Sequence, residues 1–307
     1  MSYGRQYTFL DFATQTYLAF AGLVVLYGHG HTAHSWILLL ACHALAIGAI
    51  HLVIRLHEAR PDLKFVGFIR HFYPVLLYGP LYCETGWLNQ VFVSGFLDPT
   101  FIRLDGRLFG CQPSLVLMAH FPSPILSETF YAAYFSYYPM LSGIGLALFL
   151  RSREQFFHYL SVLSFVFYVC YAAYIFIPVV GPQIFFPELA HAALPAAVQP
   201  AVVPAFPAAV QAGPAFQLMQ WIYEHFESPG AAFPSSHVAI ALTTVFFSFQ
   251  YLRRIRWLHL CVALLLCIAT VYCRYHYLVD AIAGALAAAI LIPLGSRLYL
   301  RSRSYNR

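Results

Sequence analysis

Charge is what this chain has least of. Only 9% of its 307 residues are Asp, Glu, Lys or Arg, against 61% hydrophobic, a balance that excludes a solvated globular domain. None of the seven cysteines forms a CxxC or other paired spacing, and most fall in apolar stretches, where cysteine acts as a small buried hydrophobe. Cys83 and Cys111 share one outer segment, which leaves a bridge between them open. There is no internal repeat. The first apolar block has neither a basic start nor a small-residue cleavage site before it, so no cleavable signal is expected.

What the chain does have is long apolar runs. They cover residues 9–27, 35–54, 65–82, 126–150, 157–178, 237–251, 257–273 and 277–297. Most are long enough to cross a hydrocarbon core of ~30 Å. The fold class this predicts is all-α, a polytopic transmembrane helix bundle of about eight spans. The third block is the weakest, because Arg70 and His71 interrupt it and Pro74 follows. The expected organisation is N-terminal transmembrane helices over 1–85, an outer loop over 86–125 and a membrane core over 126–307. That core includes a Pro/Ala-rich outer segment, 179–235, in which Pro195, Pro200, Pro204, Pro207 and Pro214 forbid a continuous helix. Gln217 to Phe226 is expected to form a short interfacial helix. The last span, rich in Ala and Gly, is expected in the middle of the bundle.

Basic residues test this layout, because inner loops carry the Lys/Arg excess. With both termini inside, Arg5, Arg55, Arg60, Lys64, Arg151, Arg153, Arg253, Arg254, Arg256, Arg297, Arg301, Arg303 and Arg307 all face inward, thirteen of seventeen. Only Arg103, Arg107 and Arg274 face outward, and Arg70 lies in a span. The net charge of +5 therefore reports topology and not nucleic-acid binding. The expected partners are the bilayer and a lipid substrate. Short loops and the lack of a retention signal point to a bacterial inner membrane. The oligomeric state is not legible.

Two short runs carry chemistry. Phe233-Pro234-Ser235-Ser236-His237 opens the sixth block, and Arg274-Tyr275-His276-Tyr277-Leu278-Val279-Asp280 opens the eighth. Ionisable groups at membrane depth are costly and mark function. Between the runs lies one inner basic turn, Arg253 to Arg256, so both return to the outer face. On a helix, His276 and Asp280 share a face, where the carboxylate can hold one ring nitrogen and leave the other to attack. His237 can then protonate a leaving oxygen. The start of the sixth helix, with Ser235 and Ser236, suits a phosphate. Arg274 can join it only if the chain before His276 is not yet helical.

Together these runs resemble the second and third motifs of the type 2 phosphatidic acid phosphatase superfamily. More narrowly they resemble its branch of inositol phosphorylceramide synthases and bacterial relatives. The resemblance covers about 126–300, with family-like phrasing also from Leu104-Asp105 to Pro113-Ser114. It implies a core like that family's six-helix bundle, a phosphohistidine on His276, activation by Asp280, and His237 as acid and then base, with no metal and no cofactor. Two features depart from the phosphatases. Thr270 stands where they have an arginine six residues before the nucleophile, and Ser236 where they usually have Gly. Lys64 and Arg70 imitate the first motif, but Lys64 lies on the inner side and no Pro follows Arg70 directly. These departures favour the synthase-like branch and leave Arg103, Arg107 and Arg274 as the outer cations to bind phosphate.

Other features read more plainly. Glu128 is either a functional contact or a helix-pairing group, and Asp105 between Arg103 and Arg107 is either supporting or a solvated loop residue. His29, His31 and His34 lack a carboxylate or Cys partner and read as surface residues. Trp87, Tyr131, Tyr134, Tyr137 and Tyr138 suit a membrane-interface belt. The expected function is a lipid phosphatase if water accepts the phosphoryl group, and a phosphotransferase if an alcohol does. From another class, a transporter or lipid-binding scaffold that keeps the motif residues for structure should show broken spans at the midplane or repeat symmetry. Neither is evident.

Overall fold

A computed structural model describes residues 7–30, 35–189 and 205–305. Every predicted apolar block is helical, and the described residues contain no strand beyond one isolated bridge between Val179 and Ala231. The chain begins with α1 (Phe9–Tyr27), α2 (Trp36–Ala59) and α3 (Lys64–Leu88). The outer segment folds into α4 (Asp98–Phe109) and α5 (Pro113–His120). The fourth block is split into α6 (Pro124–Phe135) and α7 (Tyr137–Arg151), followed by α8 (Arg153–Phe176). After α9 (Pro182–Leu189), α10 (Ala208–Gln211) and α11 (Pro214–Phe226), the motif-bearing helices are α12 (Ser236–Tyr251), α13 (Arg256–Tyr272) and α14 (Leu278–Tyr305).

Four of these helices, α1, α2, α8 and α14, are long and apolar enough to cross a membrane; α6 with α7, bent by 40°, makes a fifth. The chain is thus an all-helical, multi-pass membrane protein. The remaining three of about eight expected spans do not meet that measure. α12 has 16 residues and α13 has 17, short of the roughly 20 a full crossing needs. α3 is long, but buries Arg70 and Glu84.

The centre of the bundle differs from expectation. α8 occupies it, with 72% of its apolar window buried, against 39% for α14. α8 packs on α1, α3, α7, α12 and α14. Small residues in α14 serve close approaches instead of a central position, Gly284 to α12 and Gly295 to Phe165 and Val162 of α8. A Cβ on Gly284 would collide with the backbone carbonyl of Ser235, so glycine lets α14 seat against the start of α12. On the periphery, α2 turns Ile37, Leu38, Leu45 and Leu52 outward, as a lipid-facing helix should.

The Pro/Ala-rich run lies partly outside the described residues, with Pro195, Pro200 and Pro204; beyond it, Gln217 to Phe226 is helical within α11, as expected. Cys83 and Cys111 are both free, so the bridge left open above is not made. Tyr131, Tyr134 and Tyr137 are buried, against the belt reading, whereas Trp87 and Tyr138 are partly exposed. Of the histidine-rich loop, His29 is exposed, while His31 and His34 lie outside the described residues.

Candidate active site

The reversal from α13 to α14 builds one half of the site. α13 ends in a Schellman motif: Tyr275 N–H donates to the Thr270 carbonyl at 3.0 Å and Arg274 N–H to the Val271 carbonyl at 3.1 Å. The motif's left-handed position, usually glycine, is taken by Arg274 at φ 63°. A side chain there is strained by about 1–2 kcal/mol. Residues 273–277 are therefore outside any helix, which meets the condition set for Arg274 and carries His276 in a bend. α14 then starts under two carboxylates. Asp280 accepts from the Tyr277 N–H at 3.0 Å, and Asp105 accepts from Leu278 and Val279 N–H at 3.0 and 3.1 Å. These satisfy three N–H groups that a helix start leaves without intrahelical partners.

His276 and Asp280 meet, though not across one helical face. The carboxylate sits in the first turn of α14 and the imidazole in the bend before it, with Nδ1 and Oδ2 3.7 Å apart. That is ion-pair range and too long for a hydrogen bond. Both side chains are buried, His276 at 3% exposure and Asp280 at 0%. His276 Nδ1 and Asp280 Oδ1 have no hydrogen-bond partner. Burial, aided by the neighbouring His237, pushes the His276 imidazole down to about 3, with the Ala232 carbonyl acting the other way. The ring is neutral at pH 7, as a nucleophilic nitrogen must be.

The other half is the start of α12. Ser235 caps it, its Oγ accepting from Val238 N–H at 3.3 Å, and its own N–H donates to the Asp280 carbonyl at 3.1 Å. Pro234 stands just before the cap. Together with Gly284, the Ser235–Asp280 bond ties the two motifs directly. The loop below is clasped by Val179, which accepts from Ala232 N–H at 2.8 Å and donates to Gly230 at 3.2 Å. His237 consequently faces His276, ring centroids 5.7 Å apart and planes at 60°. The Tyr134 hydroxyl lies 3.1 Å from His237 Nε2 and 3.3 Å from Nδ1.

The PAP2 superfamily profile matches residues 100–294, well over half of the chain. This chain belongs to the PAP2 superfamily. The match begins in α4 and ends in α14, so it contains both motif halves and leaves α1–α3 outside. No curated protein and no solved structure matches the chain. PAP2 membership points to a phosphatase-type function on lipids.

Not every residue expected in this PAP2 site reaches it. Arg103 and Arg107 lie on the exposed face of α4, and Arg103 Nη2 donates to Thr100 Oγ1 at 3.0 Å. The opposite face buries Asp98, Phe101, Ile102 and Asp105, because that face carries the contacts to the α14 start. Asp105 is therefore no solvated loop residue. Arg274 is buried, its guanidinium 4.4 Å above the Phe206 ring; burial lowers its pKa and Tyr131 opposes this. Ser235 spends its hydroxyl on the cap, whereas Ser236 lines a cavity beside His237. Glu128 accepts from Ala215 and Phe216 N–H at 2.7 and 3.1 Å, capping α11 and not pairing with another charge.

Three groups near the rings escaped sequence reasoning. Asp98 accepts from Val180 and Gly181 N–H at 3.0 and 2.9 Å and from the Tyr277 hydroxyl at 3.0 Å, fixing the loop after α8 against the third motif. Tyr134 touches His237, and Glu227 shares its cavity. The available signal was that acids are scarce: twelve in the chain, so each buried one needs a reason.

Proposed function

We propose that this PAP2 protein is an integral membrane phosphotransferase acting on a phospholipid or lipid phosphate at the non-cytoplasmic face, with His276 as nucleophile. In the first step a His276 nitrogen bonds to phosphorus, the phosphorus–oxygen bond to the leaving group breaks, and His237 donates its proton to the departing oxygen. In the second, His237 takes the proton from an acceptor hydroxyl as that oxygen bonds to phosphorus and the phosphorus–nitrogen bond breaks. Asp280 stabilises the charge that develops on His276, and Arg274 and Ser236 are the groups proposed to meet the phosphate. The observation that carries this reading is the facing of His237 and His276 at 5.7 Å with Asp280 behind the latter. Substrate must part the rings, since in-line attack sets nitrogen and phosphorus ~3 Å apart before the leaving oxygen is reached. The altered positions Thr270 and Ser236 favour the alcohol-transferring, inositolphosphotransferase-like branch over a plain phosphatase.

The same reading takes α3, α12 and α13 as further crossings, giving eight spans with both termini cytoplasmic, in a bacterial inner membrane. Labelling of single cysteines placed in the 252–255 turn and in the 227–235 loop, from each side of the membrane, tests it. The chemistry is tested by incubating the purified protein with 32P-labelled phosphatidic acid, quenching in base, and mapping label to His276. Full turnover in His276→Ala would favour a scaffold or transporter that keeps the motif for structure.

A further inference from the structure

Beside His237 the protein forms a partly open cavity of about 500 Å³. Ser236 and His237 form part of its wall, and Tyr82, Tyr134, Tyr138, Tyr223 and Glu227 others; His276 does not reach it. No lysine or arginine lines it. The ring that meets the cavity is thus the one assigned to the leaving and entering oxygen, not the one assigned to phosphorus. Its single carboxylate repels a phosphate and attracts a hydroxyl donor, and its phenyl faces suit the C–H surface of a small polyol or ring.

Glu227 is held for such a task. Tyr82 O–H donates to Oε1 at 2.8 Å, and the same Tyr82 oxygen accepts from Ser228 N–H at 3.4 Å. Among the described residues no other hydrogen bond reaches this carboxylate. Glu227 is enclosed by protein yet only half-buried, because its remaining surface faces the cavity. Burial raises its pKa to about 7, with the Tyr82 hydroxyl pulling it down. A carboxylate with one donor in such a place is undercompensated, and a ligand hydroxyl supplies what is missing.

We propose that this cavity is the acceptor side of the site, taking an alcohol with at least two hydroxyls, and that Glu227 positions it by accepting a hydrogen bond from a hydroxyl that does not react. The inference rests on the phosphotransfer reading above. An apolar cavity alone discriminates weakly between alcohols, whereas a buried acceptor left without a donor rejects a ligand that lacks one.

The test gives the purified full-length protein 32P-labelled phosphatidic acid with glycerol or 1-propanol, which share a carbon count. It reads the ratio of new phosphoester to free phosphate, in which general losses of activity cancel. Glycerol should give a ratio about 10-fold above 1-propanol at equal concentration. Glu227→Leu should bring the two together, and Glu227→Gln, which keeps the volume and the Tyr82 contact, should retain part of the preference. Equal ratios in the unaltered protein, or an undiminished glycerol preference in both variants, overturn the acceptor site while leaving phosphotransfer intact. Release of neither phosphate nor ester by the unaltered protein overturns both.

Discussion

Two buried acids, Asp11 in the N-terminal helices and Asp280 in the PAP2 segment, sit in opposite circumstances. Asp11 is fully engaged: Arg70 Nη1 and Nη2 donate at 2.8 and 2.6 Å, Tyr73 O–H at 2.6 Å, and Thr8 N–H and O–H at 2.7 Å each. That bidentate pair locks α1 to α3 and caps α1 through a Thr8–Asp11 capping box. Asp280 uses Oδ2 on one backbone N–H, leaves Oδ1 without a partner, and stands 3.7 Å from the imidazole it faces. A closed network stabilises the resting fold. An open one, equally buried, holds bonding capacity for something that arrives.

The comparison is broken most severely at the proposed nucleophile. His276→Ala should lower phosphate transfer about 10⁴-fold or more, while losing the ring's contact with the Ala232 carbonyl should cost only about 0.5–1.5 kcal/mol, a small fall in the thermal midpoint in detergent. The mirror case is Arg70→Ala. It strands Asp11 without its cation and should cost about 3–5 kcal/mol of stability, read by thermal or denaturant unfolding, with the chemistry of surviving protein unchanged. If Arg70→Ala abolished turnover in folded protein, the division between a locking and a reacting region would fail.

Smaller effects sharpen the same line. Asp105→Asn removes charge from the acceptor of the Leu278 and Val279 N–H groups, and should cost about 1–3 kcal/mol and displace Asp280 with the helix start. Stability and rate should therefore fall together, unlike either case above. Arg274→Gly should split them the other way. Relief of the left-handed strain should raise stability by about 1 kcal/mol, while loss of the guanidinium lowers turnover.

The smallest expected effect is a pH slope from Glu227. Its folded pKa is raised to about 7 by burial, above its unfolded value, so the folded state keeps a proton that the unfolded chain has released. Stability should fall as pH rises from roughly 4.5 to 7, and Glu227→Gln should flatten that slope in thermal unfolding across the window. An unchanged slope in the variant would assign it to another group.

Much of this protein was legible residue by residue. Long apolar runs located α1–α3, α6–α8 and α12–α14, though not the short helices α4, α5, α9 and α10, because a chain in hydrocarbon must satisfy its backbone within the segment, and the run of side chains reports that directly. The α12 cap follows from local chemistry at Ser235, whereas the Schellman turn does not, because Arg274 stands at the left-handed position that glycine usually marks. His237, His276 and Asp280 were visible because ionisable groups at such depth are rare.

What the tertiary structure alone decided is which side chains those groups meet. Arg103 and Asp105 are two residues apart, yet one faces solvent and the other holds the α14 start, a choice made by the packing of α4. Tyr134 and Glu227 reach the His237 cavity from helices and loops more than a hundred and about ten residues away in the chain. α8, not the Ala-rich α14, took the centre. Local sequence dictates where a helix forms, since its hydrogen bonds are internal. Which face it buries depends on neighbours distant in the chain, and no short window contains them.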